Sequence, residues 1–293
     1  MKEHNSSTTA RVVAFYRAVE SNKPENERIC YDPYAHHFIS PKISALKKKW
    51  LLTSVNMRIY EWIFPGVYAY FAARTRYIDD YLQWCLDHDY QQVVILGAGF
   101  DSRAYRFNQF KDRVKVFEVD HPATQGEKKA KLAELFGALP EHVVYVPIDF
   151  HTQTLSQRLL ESGYNQKSKT LFIWEGVTFY LTADAVDETL AFVAKHSGSQ
   201  SSLLFDYTYP DAITGTSPLK EARIWRKFAK KKGEPLLFGI QKDMIEQYLA
   251  KRGFTQVANA PHEILHQRYL IGINQKRYIT PMLAVVHATV KPD

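Results

Sequence analysis

Four places in this chain hold residue types that could do chemistry together. One is a glycine turn at Gly97, Ala98 and Gly99; the others are the acids Asp120, Asp149 and Glu175, each beside an apolar run. The turn lies within VVILGAGFDSR, residues 93–103. A buried strand there runs into glycines that let the backbone turn sharply and approach a ligand closely. The third glycine of a G-x-G-x-x-G dinucleotide fingerprint is missing, because Ser102 stands in its place. A pyrophosphate on a helix N-terminus needs that close approach, and a nucleoside cofactor without phosphates does not. The departure points away from a dinucleotide and toward S-adenosylmethionine; an ordinary tight turn is the other reading.

Asp120 closes the second apolar run, VFEVD, and lies 23 positions after Gly97. In such folds an acid about twenty residues on meets a ribose diol, and its two oxygens accept from both hydroxyls. Glu118 competes for that role on the same side of the strand, and Asp120 could instead cap the helix opened by Pro122. Asp149 and Phe150 follow the third run, in VPIDF. A carboxylate there can accept from an adenine amine while the ring packs on the base, or Asp149 can cap a helix beginning near His151. Glu175 is a charge within LFIWEGVTFYL, residues 171–181. A buried carboxylate is costly unless paired, so it either pairs structurally or lies in a cleft beside a cationic cofactor.

Arg74 poses the same question with opposite sign. Val67, Phe71, Arg74, Ile78, Tyr81 and Cys85 share one helical face, which puts a guanidinium inside an apolar stripe. It needs an anion there: a structural carboxylate such as Asp79 or Glu61, or the carboxylate of a ligand.

The elements that must position these residues follow from periodicity. Short apolar runs at 93–96, 114–119, 143–146, 171–174 and 203–207 alternate with helical stretches at 122–136, 155–161 and 183–195. That rhythm predicts a doubly wound α/β fold with a mostly parallel sheet. A polar segment at 208–236, with Gly215, Pro218 and a basic helical stretch, precedes a helix at 242–252, and 254–257 and 282–290 read as the last two strands. The first ninety residues are mainly helical. The expected organisation is therefore an N-terminal helical lid, 1–90, on an α/β core, 91–293, with a lid insertion near 208–236.

Composition sets bounds. With 293 residues and 45% hydrophobic content the chain can bury a large core. Two cysteines, Cys30 and Cys85, are too few for a disulfide framework or a zinc site, and no metal is expected. The opening MKEHNSSTTARVVAF lacks the apolar region of a secretory signal, and no run is long enough to span a bilayer. A soluble cytoplasmic protein is expected. The net charge of +7 gathers at Lys47–Lys49 and Lys230–Lys232. Solvated faces account for those clusters better than a nucleic-acid footprint, since no RNA-binding motif or Cys/His finger accompanies them.

Five blocks in order carry a resemblance: AARTRYIDDYL around 73–82, VVILGAGFDSRAYR at 93–106, VFEVDHPATQ at 116–125, VPIDF at 146–150 and IWEGVTFYL at 173–181. The chain resembles the leucine carboxyl methyltransferase family, including its bacterial S-adenosylmethionine-dependent branch. The resemblance implies a seven-stranded Rossmann-like sheet and O-methylation, of a carboxylate more than a hydroxyl. It also implies cofactor contacts: Arg74 to the methionine carboxylate, the Gly97–Gly99 turn near the methionine part, Asp120 to the ribose, Asp149 and Phe150 to the adenine, and Glu175 nearby. A carboxylate acceptor is already ionised, so no general base is assigned. Tyr180, Tyr207 and Tyr209 are expected to line the acceptor pocket, with His36 and His37 further candidates. The expected partner is a small-molecule acceptor rather than a protein C-terminus or a nucleic acid. A non-catalytic or nucleic-acid-directed S-adenosylmethionine-binding protein is the alternative.

Overall fold

The structure is a computed structural model that describes residues 8–39, 50–149 and 152–292. Phe150 and the Lys47–Lys49 cluster lie outside the described residues.

The apolar runs become strands buried on both faces, as expected where helices cover both sides of a parallel sheet. They are β1 (Gln92–Leu96), β2 (Lys115–Asp120), β3 (Val143–Pro147), β4 (Thr170–Trp174) and β5 (Ser202–Thr208), joined by β6 (Phe254–Ala260) and β7 (Leu283–Val290). Among the described residues these form one seven-stranded sheet in the order β3-β2-β1-β4-β5-β7-β6. The first five run parallel, and β7 pairs antiparallel with both β5 and β6. From β1 the chain winds outward through β2 and β3, then returns to β4 on the other side of β1. That reversal makes a crevice at the carboxyl ends of β1 and β4, where such sheets bind ligands.

Side-chain alternation divides the core in two. Val93, Ile95, Leu171, Ile173 and Leu204 face a layer built from α1 (Thr8–Ser21), α3 (Val67–Leu86), α6 (Pro122–Phe136) and α10 (Lys220–Lys232). Val94, Leu96, Phe172, Trp174 and Phe205 face α7 (Leu155–Glu161), α8 (Ala183–Lys195) and α11 (Ile245–Ala250). The helices α2 (Trp50–Ile63), α4 (Arg103–Arg106), α5 (Phe110–Arg113), α9 (Pro210–Thr214) and α12 (His262–Tyr269) complete the described chain.

Two expectations change. The helix expected over 242–252 shrinks to Ile245–Ala250, because Asp243 adopts a left-handed conformation with φ 64° that a helix interior cannot hold. The 208–236 segment holds not only the expected basic helix, α10, but a second short one before it, α9.

Candidate active site

The glycine turn sits at the mouth of the crevice. Gly97 and Gly99 have φ of 65° and 44°, the left-handed region that side chains resist. A Cβ on Gly97 would meet Val177 Cγ2 at 2.5 Å, so the turn packs directly on the loop after β4. A Cβ on Gly99 would meet Ala10 Cβ at 3.1 Å, so α1 lies across the turn from outside. Arg17 on α1 fixes that position, donating to the Phe100 carbonyl at 2.5 Å and to Asp32 at 2.8 Å.

Asp120 ends β2 beside the same turn, half-buried. Its Oδ2 accepts from the Gly99 N–H and its Oδ1 from the His121 N–H. Burial raises its pKa against the pull of those two donors. The cap of α6 is His121, whose ring accepts from the Ala123 N–H at 3.2 Å, so Asp120 is not the N-cap. Glu118 leaves the competition: it is fully buried, 2.8 Å from Lys128 Nζ on α6.

Across the crevice lies a buried ionic network that the sequence showed only in part. The Arg74 guanidinium reaches Glu175 at 2.6 Å and Asp206 at 2.5 Å. Arg103 bonds the other Glu175 oxygen at 2.6 Å, Asp101 at 2.6 Å and Asp79 at 2.7 Å, and Arg106 shares Asp79 at 2.6 Å. Three guanidinium groups thus face four carboxylates. Neither structural carboxylate named for Arg74 from the sequence, Asp79 or Glu61, is its partner. Asp79 serves Arg103 and Arg106, and Glu61 accepts from the Gly66 N–H at 2.8 Å. Asp206 and Arg103 were missed, although Asp206 carries the signal that exposed Glu175, an acid within an apolar strand.

Burial works against ionising Glu175, but Arg74 and Arg103 overcome it and hold its carboxyl well below the usual range. Asp206 goes the other way: its burial outweighs Arg74 and the Gly176 N–H, which donates to it at 2.6 Å, and its pKa rises. Three polar atoms on one stretch of α3, Tyr70 Oη, Arg74 Nε and Thr75 Oγ1, are buried with no hydrogen-bond partner among the described residues. Buried orphans of this kind are uncommon, and each calls for a partner such as an ordered water or a ligand group.

The remaining expected residues are unevenly placed. Asp149 follows β3 at the same sheet edge, half-buried. Thr154, not Asp149, caps the next helix by accepting from the Gln157 N–H at 3.3 Å. Tyr180 lies half-buried on the α10 side, edge-on to Phe179 and Trp225. Tyr207 does not line the crevice: the pleat that turns Asp206 toward Arg74 turns Tyr207 to the opposite face. There it is fully buried, with its hydroxyl donating to Asn259 at 3.2 Å. Tyr209 stands at the head of α9, its ring edge-on to Tyr207. The His36 and His37 rings lie against each other at a 39° tilt in a short 3-10 turn, Ala35–Phe38.

The sequence pattern of the leucine carboxyl methyltransferase family matches residues 10–194, which takes in the turn, the ends of β2, β3 and β4, and the network except Asp206. The chain belongs to the leucine carboxyl methyltransferase family. Within reach of this family are curated relatives. YktD of Bacillus subtilis, by name a candidate S-adenosyl-L-methionine-dependent methyltransferase, is 35% identical over 182 residues, covering 62% of this chain and 59% of that one. A Mycolicibacterium smegmatis protein of the same description is 29% identical over 269 residues, covering 88% and 86%. A candidate methyltransferase structure from Thermobifida fusca shares the fold at TM-score 0.61 and 11% identity, covering 98% of this chain and 96% of that one.

Proposed function

We propose that this protein is an S-adenosylmethionine-dependent methyltransferase that esterifies a carboxylate of a small-molecule acceptor. The reading rests on one juxtaposition. A left-handed glycine turn, an acid at the next strand end and a buried arginine with an unpartnered Nε meet at the point where the strand order reverses. Family membership makes the chemistry methyl transfer, and the donor set suits the cofactor. Arg74 would hold the methionine carboxylate, with Glu175 fixing its guanidinium from behind. The Gly97–Gly99 turn would follow the methionine chain, Asp120 would accept from the ribose hydroxyls, and Asp149 with Phe150 would take the adenine. A carboxylate on Asp120 keeps lone pairs free beyond the two backbone donors.

When bound, S-adenosylmethionine supplies a methyl group on a sulfonium for in-line displacement. The chain contributes position and exclusion of water. It need move no proton, because a carboxylate nucleophile is ionised already. Tyr180, with its phenol pushed up to about 12 by burial, is neutral at physiological pH and can donate to an acceptor oxygen. Tyr209 is the second wall residue in this reading. The two buried free cysteines suit a reducing cytoplasm, and no helix of the described residues is long and apolar enough to cross a membrane.

Calorimetry with S-adenosylmethionine and its demethylated product tests the cofactor half. Micromolar-range binding is expected, and Asp120→Ala should largely abolish it; undiminished affinity would discredit the ribose assignment. Labelled methyl transfer across a panel of carboxylic acids tests the other half. Ester products release volatile methanol in alkali, whereas methyl ethers do not.

A further inference from the structure

A group of exposed large apolar residues lies along α2 and α10, and it includes Trp62, the most exposed large apolar side chain among the described residues. Trp62 is 72% exposed, Ile59 50%, Phe228 45% and Tyr60 41%. Between the two helices runs an open groove of about 430 Å³ lined by Ile59, Tyr60, Ile63, Phe64, Ile224 and Phe228. Its rim is cationic. On the helical wheel of α10 (~100° per residue), Glu221, Ala222 and Ala229 point inward and are buried. Lys220, Arg223, Lys227, Lys230 and Lys231 occupy the outward arc, all exposed. Ile224 and Phe228 lie on the flank between, next to the groove.

The lysines reach over the aromatics. Lys220 Nζ stands 4.1 Å from the Trp62 ring centroid and donates to the Trp62 carbonyl at 3.0 Å, and Lys232 Nζ stands 5.6 Å from the Phe228 ring. The outward arc carries no acid, since Glu221, the one carboxylate of the helix, is buried and accepts from Thr280 at 3.0 Å.

We propose that this edge docks on an anionic lipid bilayer, with Trp62, Ile59 and Phe228 entering the headgroup–acyl boundary and the α10 cations meeting the phosphates. A helix with apolar residues flanking a lysine-rich arc, beside an exposed tryptophan, matches the chemistry of an interfacial surface. A polyanion such as nucleic acid would use the cations, but it would leave Ile59, Ile63 and Phe228 without a role. The contact is peripheral and needs no spanning segment. The same helix turns Trp225 inward against Phe179 and Tyr180, so docking would place the cover of the crevice at the lipid surface. The docking edge is separate from the cofactor residues, so its failure leaves the methyl-transfer reading untouched.

Flotation of the full chain with vesicles decides it. Vesicles of phosphatidylcholine mixed with phosphatidylglycerol should carry the protein, and vesicles of phosphatidylcholine alone should not. Each cation removed should weaken partitioning about fivefold, so Lys227→Gln, Lys230→Gln and Lys231→Gln together should lower it about a hundredfold. Trp62→Ala with Phe228→Ala should lower it about tenfold or more at unchanged charge. Thermal melting of each variant should match the parent, because the substituted groups are solvent-facing. No flotation on the anionic vesicles overturns the proposal. So does binding that survives the apolar pair of substitutions and is displaced by an oligonucleotide, which would make the edge a polyanion surface instead.

Discussion

Glu175 sits between two guanidinium groups, and most of the electrostatics of the crevice pass through it. Removing one member of a buried ion pair leaves the others uncompensated, at a cost of about 3–5 kcal/mol. Glu175→Gln should therefore destabilise the fold at neutral pH by that order. Because Arg74 and Arg103 hold this carboxyl below its ordinary value, its contribution is present above the unfolded pKa and fades as pH falls through the folded one. Urea unfolding of both proteins at about pH 7 and about pH 3 should show the gap narrowing in acid, as expected below the usual carboxylate pKa of about 4; a gap independent of pH would remove the ion pair from the argument. Asp120 carries the opposite sign. Its raised pKa means its contribution is full in acid and is lost as pH rises through the folded value. Asp120→Asn sets an NH2 against one of the two backbone N–H donors, a cost of about 1–3 kcal/mol; that deficit should shrink relative to the parent as pH rises from about 4 to about 7, while S-adenosylmethionine binding stays poor. A stability deficit that closes with rising pH while binding stays lost is the mark of a charge retained for a ligand. Arg74 and Glu175 could be singled out from sequence because a charge in an apolar run demands a partner. The partner could not be, since Asp206 lies 132 positions from Arg74 and only the sheet brings them together.

At the scale of elements, the strand runs were legible to within a residue or so for β1 to β5, because segments buried on both faces read as apolar stretches broken at most by a single buried acid, Glu118 in β2 and Asp206 in β5. Helix bounds after β5 were harder to read. Leu219 opens α10 without a side-chain cap, and Asp243 interrupts the expected 242–252 helix through its own backbone. Tyr207 shows a subtler limit: a correct strand was assigned, but which face each residue takes depends on which neighbour sheet or helix lies there. The packing of the glycine turn on the β4 loop is testable at this scale. Gly97→Ala places a Cβ 2.5 Å from Val177 Cγ2 and forces a left-handed φ on alanine. Trimming the neighbour by Val177→Ala relieves the clash but not the dihedral strain, which costs of order 1–3 kcal/mol. Denaturant midpoints should therefore fall for Gly97→Ala and recover only in part for the double variant. Full recovery would mean the conformation itself costs nothing.

At the scale of the molecule, the crevice is covered from two distant parts of the chain that also touch each other. Ala10 on α1 overlies Gly99, and Thr9 on the same helix donates at 2.9 Å to Glu234, just past α10. Trp225 on α10 packs on Phe179 above the β4 loop. A ligand held beneath both helices favours the state in which both are seated, so α1 and α10 should respond to it as one unit. Binding to the folded state alone stabilises it by about 2.7 kcal/mol at a hundredfold excess over Kd. For a chain this long that is a rise of roughly 5–11 °C in Tm, at about 2–4 °C per kcal/mol. Hydrogen exchange adds the spatial test. With S-adenosylmethionine or its demethylated product, amides of α1 and α10 should slow together, while those of α7 and α11 on the opposite face change little. Protection confined to the glycine turn, with α1 and α10 unaffected, would show that the helices are passive covering and that the sheet edge alone grips the cofactor.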